Sequence, residues 1–190
     1  GEVFDPVVGG EALLVIDVGS DVYALAFFVD PTTGAPRLAC GCDDKKVRIF
    51  DPVAGGTALL VLEVGDFVRA LAVFTDPATG ALRLASGSKD GKVRVFDPVA
   101  GGDALLVLDI GSDVLALAIF KEPGTGAPRI ACGSDDGKVR VFDAVSGGDA
   151  LLVLDVGFEV HALVIFKDLA TGAPRLASGS DDKKVRVFDP

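Results

Sequence analysis

The chain has 190 residues, 49% hydrophobic and 24% charged, a composition typical of a folded globular protein rather than a disordered one. Its formal net charge of −10 disfavours binding to nucleic acid and to anionic membrane surfaces, which attract clustered Lys and Arg. No apolar run approaches the roughly 18 residues of a membrane-spanning helix. The three cysteines lack disulfide spacing and favour a reducing compartment such as the cytoplasm.

One unit is repeated four times along the chain. Self-similarity at a period of roughly 40–50 residues is typical of propeller repeats. The repeats are assigned to residues 6–51, 52–97, 98–143 and 144–189, and residues 1–5 (GEVFD) duplicate the end of a unit. The period of 46 residues is set by the Phe-Asp pairs that begin at Phe4, Phe50, Phe96, Phe142 and Phe188.

Each repeat contains four short apolar runs, which the third repeat illustrates. ALLVLD follows a Gly-Gly turn, VLALAIF follows GSD, RIACGS follows EPGTGAP, and KVRVF follows DDG. Short runs between Gly, Pro and Asp clusters indicate β-strands joined by hairpins. VLALAIF is apolar on both faces, as expected of an inner strand between packed sheets. We therefore predict an all-β fold, a β-propeller with one four-stranded antiparallel blade per repeat.

The motif LASGSKDGKVRVFD resembles strand b, the tight turn and strand c of WD-repeat (WD40-like) β-propellers, with Phe-Asp in place of Trp-Asp. VLDIGSDVLALAIF likewise resembles the stretch that leads into strand a of that family. The four runs of each repeat therefore correspond to strands d, a, b and c in chain order. The resemblance covers nearly the whole chain and implies a non-catalytic scaffold or protein-interaction module.

The sequence departs from the family at two positions of its buried hydrogen-bond network. Phe replaces Trp, and the family's His after the glycine is also replaced, so that network cannot form. The aspartate of the b-to-c turn is kept, and we expect it to cap its own turn through backbone N–H groups while Phe packs as an apolar residue. The residues in place of His are Ser20, Asp66, Ser112 and Phe158, and the structural turn aspartates are Asp44, Asp90, Asp136 and Asp182.

The two ends of the chain are incomplete in complementary ways. The last repeat lacks a strand d, whereas the first strand d, around residues 12–17, lacks strands a and b. Joining them would cover an exposed sheet edge. Blades of this family pack most often in rings of seven or eight, so we predict an eight-bladed ring formed by a homodimer. A closed four-bladed monomer and a ring with a swapped blade are the alternatives.

Ring closure creates a conflict between the two ends of the chain. Residues 1–5 and the C-terminal VRVFD are both strand-c segments, and both would pair with the first strand d. Residues 1–5 lack the Lys-Val-Arg lead-in of an intact strand c. We therefore expect residues 1–5 to be the displaced end.

Positions that vary among the repeats mark a candidate partner-binding face. They lie in and beside the d-to-a loop, which the WD-repeat family uses for partners, and they include residue types enriched at interfaces. Drift in exposed loops is the alternative interpretation. The candidate residues are Tyr23, Asp66, Phe67, Arg69, Leu115, Phe158 and His161.

No pattern predicts catalysis, a metal or a cofactor. His161, the sole histidine, has Tyr, Arg and Leu at the equivalent positions, so no acid–base partner or ligand set accompanies it in phase. Cys40, Cys42 and Cys132 stand where other repeats have Ser and are interpreted as buried small residues. The predicted function is a scaffold that pairs with itself and binds an unknown protein or peptide. The alternatives are an amplified or engineered repeat protein without an evolved ligand and, more remotely, a cation-binding or enzymatic propeller.

Overall fold

A computed structural model describes residues 2–3 and 11–190. Gly1, Phe4, Asp5 and residues 6–10, which open the first repeat, lie outside the described residues. All strands in the described ranges belong to antiparallel sheets. No helix there is long and apolar enough to span a membrane.

The strands form five sheets that follow one another along the chain. The first is a two-stranded ladder of β1 (Glu2–Val3) and β2 (Leu14–Val15). Three four-stranded meanders come next, and a three-stranded sheet ends the chain. The meanders are β3 (Val22–Val29), β4 (Pro36–Cys42), β5 (Lys46–Phe50) and β6 (Leu60–Glu63); β7 (Val68–Thr75), β8 (Leu82–Ser88), β9 (Lys92–Phe96) and β10 (Leu106–Asp109); and β11 (Val114–Lys121), β12 (Pro128–Ser134), β13 (Lys138–Asp143) and β14 (Gly147–Asp155). The last sheet consists of β15 (Val160–Lys167), β16 (Pro174–Ser180) and β17 (Val185–Phe188).

This arrangement confirms the predicted all-β repeat architecture. Each repeat supplies strands d, a, b and c, and each complete sheet joins strands a, b and c to the strand d of the following repeat. Among the described strands, the last sheet has no strand d and the first strand d has neither a nor b beside it.

In the single chain residues 2–3 hold the strand-c place, so the expected displacement of residues 1–5 stays a prediction for the closed ring. β1 pairs with β2, with Glu2 opposite Val15 and Val3 opposite Leu14. β17 pairs with β16 and is not in the sheet that contains β2. Neighbouring sheets contact one another in chain order, through β3 and β7, β7 and β11, and β11 and β15. Because β17 is not paired with β2, it does not compete with β1 within one chain.

The sheets stack face to face, and the core lies between them. Between the second and third complete sheets, Phe74 and Val93 pack against Val114 and Ile130, and all four side chains are buried. Equivalent clusters fill the two neighbouring interfaces. The Phe of each Phe-Asp pair is buried at Phe50, Phe96 and Phe142, which confirms its predicted role in apolar packing.

A glycine in strand b sets how closely neighbouring sheets approach. A Cβ atom at Gly87 would lie 2.5 Å from Val114 Cγ1 of the next sheet, a distance that no real Cβ contact shows. Gly41 and Gly133 face the valines of their next sheets at 2.6 Å. A Cβ atom at Gly179, in the last sheet, would meet only Ala162 Cβ, at 3.6 Å, among the described residues. The strand-b surface that the next sheet covers in the first three repeats is therefore uncovered in the fourth.

The two end faces of the stack expose side chains that the interior buries. Phe166 is 43% exposed, whereas its equivalent Phe120 is 6% exposed, and Val185 is 75% exposed against 0% for Val139. Phe166, Val185 and Val187 define the C-terminal end face. At the other end, Tyr23, Leu25, Phe27 and Val29 of β3 define the N-terminal end face, and all four are exposed.

The b-to-c turn requires a left-handed residue, and two repeats place a lysine there. Lys45 has a φ of 72° and Lys183 a φ of 66°, where the other repeats have Gly91 at 73° and Gly137 at 76°. In this region a residue with a Cβ atom is disfavoured by steric contacts that glycine does not make. The turn is therefore strained in the first and fourth repeats.

Replacing Lys45 with glycine is expected to raise the free energy of unfolding by about 1 kcal/mol, because relief of the left-handed strain outweighs the added flexibility of the unfolded chain. Urea unfolding followed by circular dichroism measures the change. Lys46→Gly is the control and should lower stability, because Lys46 lies in β5 with its Nζ 3.0 Å from Glu63 Oε1. A loss of stability in both variants would contradict the strain at Lys45.

Candidate protein-interaction face

The d-to-a loops and the b-to-c turns lie at the same end of every sheet and together form one surface, which we call the loop face. It comprises residues 18–21, 64–67, 110–113 and 156–159 of the loops, residues 43–45, 89–91, 135–137 and 181–184 of the turns, and the first residues of the a strands. Backbone hydrogen bonds join each loop to a turn: the N–H of Lys89 donates to Phe67 O at 2.9 Å, and that of Asp135 donates to Asp113 O at 3.1 Å. The face is therefore held by main-chain geometry.

Each turn aspartate forms an ion pair with a strand-c arginine that we did not predict from the sequence. Asp90 Oδ1 accepts the Lys92 N–H at 3.1 Å, which confirms the predicted cap. The same carboxylate accepts the Ser88 hydroxyl and binds Arg94 through two nitrogens, at 3.2 and 2.7 Å. The other repeats carry the same ion pair, as Asp44–Arg48, Asp136–Arg140 and Asp182–Arg186.

These ion pairs hold the turn carboxylates in the charged form. Burial opposes ionisation of Asp90, but hydrogen bonds from Arg94 and Ser88 outweigh it and keep the pKa of the carboxyl below its usual value. The Arg186 hydrogen bond similarly lowers the pKa of Asp182. Strand-c arginine thus supplies a polar anchor for the turn, where the WD-repeat family has its Trp-based network.

In two repeats a serine at the position of the family's histidine bonds to the b-to-c turn. Ser20 donates its hydroxyl to Asp43 Oδ1 and accepts the N–H of Asp44 at 3.3 Å. Ser112 makes the equivalent pair of bonds with Asp135 and Asp136. The d-to-a loop and the b-to-c turn of these repeats are therefore tied by side chains as well.

Three of the predicted face residues meet across the first and second repeats. The guanidinium carbon of Arg69 lies 4.8 Å from the ring centroid of Tyr23 and 5.9 Å from that of Phe67. Lys89, which the sequence did not single out, places its Nζ 5.1 Å from the Phe67 ring. We call Tyr23, Phe67, Arg69 and Lys89 the aromatic–cationic cluster. Cation–π contacts of this kind are attractive and orient the cationic heads over the rings.

Unsatisfied polar atoms lie beside this cluster. Arg69 Nε and Asp113 Oδ1 are shielded from solvent without a hydrogen-bond partner among the described residues. Burial raises the pKa of Asp113, the Arg69 charge opposes that rise and Asp135 adds to it. Such unsatisfied groups are few in native proteins and mark strained or functional positions.

His161 lies beside two carboxylates that comparison of equivalent positions in the four repeats did not reveal. Its Nε2 lies 2.9 Å from Asp181 Oδ1 and 3.4 Å from Glu159 Oε2. Potential ligand atoms of the three residues lie within 4.8 Å of one another, and all three residues are exposed. The trio is an exposed histidine–carboxylate cluster formed by the d-to-a loop, the start of β15 and the b-to-c turn of the last repeat.

The remaining predicted face residues are spread over the loop face. Phe158 is exposed in the last d-to-a loop and Leu115 is half-buried at the start of β11. Asp66 Oδ1 accepts the N–H of Phe67 at 2.8 Å. The structure therefore gathers Tyr23, Phe67 and Arg69, places Asp66 beside Phe67, and leaves Leu115, Phe158 and His161 in the third and fourth repeats.

The cysteines are buried, as predicted. Cys40, Cys42 and Cys132 are free thiols inside the inter-sheet cores. Burial raises the pKa of the Cys40 thiol to about 11, and it raises the pKa of Cys42 and Cys132 as well. Thiols held in the neutral form are poor nucleophiles and poor metal ligands.

The repeats match a protein-family model. The model for the WD domain, G-beta repeat, matches residues 13–51, 59–97, 111–143 and 160–189. No curated protein matches the chain in sequence.

Solved structures of two designed proteins are similar along the chain. The computationally designed Ika4 protein is 27% identical with a TM-score of 0.66, covering 95% of this chain and 98% of Ika4. The computationally designed Ika8 protein is 26% identical with a TM-score of 0.68, covering 100% of this chain but 52% of Ika8. This chain therefore spans about half the length of Ika8.

A more distant structure shares the fold. BBS1N, solved in complex with ARL6DN, is 14% identical with a TM-score of 0.72, covering 99% of this chain and 57% of that chain. At this identity, the likeness concerns the fold alone.

Asp90→Asn is expected to lower the free energy of unfolding by about 1.5–3 kcal/mol at pH 7, the range for hydrogen bonds to charged groups. The folded-state pKa of Asp90 lies below the unfolded value of about 3.9, so its stabilisation is complete above that pH and is lost as pH falls through the folded-state pKa. The difference between wild type and variant should therefore shrink below about pH 4.

Urea unfolding at several pH values measures this difference. Asp103→Asn, at an exposed position between strands c and d, is the control and should leave stability nearly unchanged at each pH. A gap between wild type and Asp90→Asn that stays constant down to pH 2.5, about one pH unit below the unfolded pKa, would show that the Asp90 charge does not supply the stabilisation.

Proposed function

Because this chain belongs to the WD40-repeat family, we propose that it is a non-catalytic propeller scaffold that binds a protein or peptide on its loop face and closes its ring by pairing two copies. Closure rests mainly on one observation: the end faces expose the apolar surface that every internal interface buries. An exposed apolar face of this kind marks an interaction site.

The two end faces fit each other because they are the two halves of an internal interface. At each internal interface, a strand-b glycine receives the valine that begins the next strand a, and Val68, Val114 and Val160 are all 0% exposed. At the ends, Gly179 is uncovered and Val22 is only half-buried. A second copy would bring the partner's Val22 to Gly179 and bury both.

The missing strands match as well. The last sheet lacks a strand d, and β2 is a strand d without its own a and b. In a two-fold arrangement each chain would complete the other's last blade, which removes both free edges. The likeness to about half of Ika8 is in keeping with a chain that forms half of a larger ring.

The loop face supplies the surface for a partner. The aromatic–cationic cluster presents Tyr, Phe and Arg, the residue types that dominate binding hot spots. The unsatisfied polar atoms of Arg69 and Asp113 lie beside it. Drift at solvent-exposed positions would not be expected to produce a stacked cluster of this kind.

A repeat protein without an evolved ligand is the second candidate. Its support is the near-identity of the repeats and the likeness to Ika4 and Ika8, two computationally designed proteins. In that case the loop face would be free of specific partners, while ring closure would be unchanged.

The wild-type chain is expected to have a mass near twice 19.4 kDa, measured by light scattering after size exclusion. Gly179→Val should give a monomer of unchanged fold, because the new side chain meets only Ala162 within one chain but occupies the place of the partner's Val22. A wild-type mass of one chain across the concentration range would overturn dimeric closure.

Val187→Asp tests the same interface on the neighbouring strand. It places a charge on the C-terminal end face and should also give a monomer. Val153→Asp is the matched control, since Val153 is 51% exposed and Val187 is 56% exposed, but Val153 lies in the outer strand β14, away from the end faces. Loss of the dimer in the control alone would place the interface elsewhere.

For the loop face, Phe67→Ala combined with Phe158→Ala is expected to abolish retention of a partner protein by the immobilised chain, because truncated hot-spot aromatics typically cost more than 1 kcal/mol each. The partner is identified by mass spectrometry and its direct binding measured by calorimetry. Leu169→Ala, at a fully exposed site between strands a and b, should bind normally. Equal binding by all variants, or no partner at all, favours the ligand-free alternative.

A further inference from the structure

β1 occupies the strand-c place beside β2 in the register of a true strand c. Glu2 lies opposite Val15 and Val3 opposite Leu14, as Arg48 lies opposite Val61 and Ile49 opposite Leu60 in the next sheet. The N–H of Leu13 donates to Val3 O at 2.7 Å. The equivalent bonds run from Leu59 to Ile49 and from Leu105 to Val95.

The same place is the one that ring closure needs for β17. By repeat equivalence, the partner's Val185, Arg186 and Val187 would lie opposite Ile16, Val15 and Leu14, as Val47, Arg48 and Ile49 lie opposite Leu62, Val61 and Leu60. Two strands cannot occupy one edge. β1 and the partner's β17 are therefore mutually exclusive on β2.

The two competitors differ in the charged pair that joins strand c to strand d. Among the described residues, β1 pairs with β2 at Glu2 and Val3, and residues 1–5 carry no lysine. In an intact strand c, Lys46 adds an ion pair to Glu63 of its strand d. Lys184 and Asp17 stand at those two positions at the chain ends. The partner's strand can therefore displace β1 when the chain concentration is high enough.

We propose that β1 is a built-in competitor of ring closure: it covers the edge of β2 in the single chain and must leave before a second copy can complete the blade. This rests on the proposed dimeric closure and adds its regulation. The occupied edge cannot pair with unrelated strands, which protects the monomer from aggregation. Because β1 must first be displaced, rings form only at a higher chain concentration than they would without it.

Deletion of residues 1–5 tests the competition directly. The dimer dissociation constant, measured by sedimentation equilibrium over a dilution series, is expected to fall roughly tenfold, since closure no longer breaks the β1–β2 pairing. Val3→Asp keeps the chain length and should act in the same direction, because the equivalent positions Ile49, Val95 and Val141 are buried apolar sites. Glu11→Gln, exposed and outside β1, is the control.

Hydrogen exchange at the Leu13 amide identifies the strand that lies on β2. In the wild-type monomer, this amide is protected by Val3 O; in the deletion monomer it should exchange rapidly, and dimer formation should restore its protection through the partner's Val187 O. A dissociation constant that is unchanged or higher after deletion overturns the competition, as does a Leu13 amide that stays unprotected in the deletion dimer.

The outcomes separate the two proposals. If wild type and deletion both dimerise with the same constant, closure stands and β1 is not a competitor. If both are monomers at every concentration, dimeric closure fails and the competition fails with it. If the deletion dimerises more tightly and Leu13 regains protection, both are supported.

Discussion

The stack of sheets depends on one contact, that of a bare strand-b glycine with a valine of the next repeat. At Gly41, Gly87 and Gly133 a Cβ atom would lie 2.5–2.6 Å from the valine, so the sheets approach as closely as the backbone permits. Each repeat therefore buries its core against its neighbour rather than within itself. A molecule built this way is quasi-one-dimensional, and its stability is a sum of repeats and interfaces.

The outermost sheets of the chain expose the apolar surface that its internal interfaces bury. Repeat arrays commonly finish with a polar capping repeat. This chain instead keeps Val185 and Val187 on its last sheet and Leu25 and Phe27 on its first, the residue types that interior repeats bury. These apolar side chains follow from the repetition itself, because the last repeat is a copy of one that has a neighbour, and they support the proposed closure.

Much of the fold could be predicted from local signals, whereas the site depended on tertiary proximity. The Phe spacing and the Gly, Pro and Asp turns predicted the repeats and their four strands. Asp90 and Arg94 are four residues apart, a spacing that recurs in every repeat, but only the turn geometry lets Arg94 bind the carboxylate through two nitrogens. The Glu159–His161–Asp181 trio joins a loop to a turn more than twenty residues later. The pairing of β1 with β2 could not be predicted, because it depends on β17 lying in a different sheet of the same chain.

The loop face carries the differences between repeats because its side chains take no part in stacking. At three equivalent positions, the second repeat has Phe67, Arg69 and Lys89, the third has Asp113, Leu115 and Asp135, and the fourth has Glu159, His161 and Asp181. The second repeat is the cationic one beside acidic neighbours. Arg69 can stack on Tyr23 only because adjoining repeats differ there. Interfaces and loops thus lie on different parts of each repeat: the glycine–valine contact holds neighbouring sheets together, and the loop face presents charges that differ from repeat to repeat.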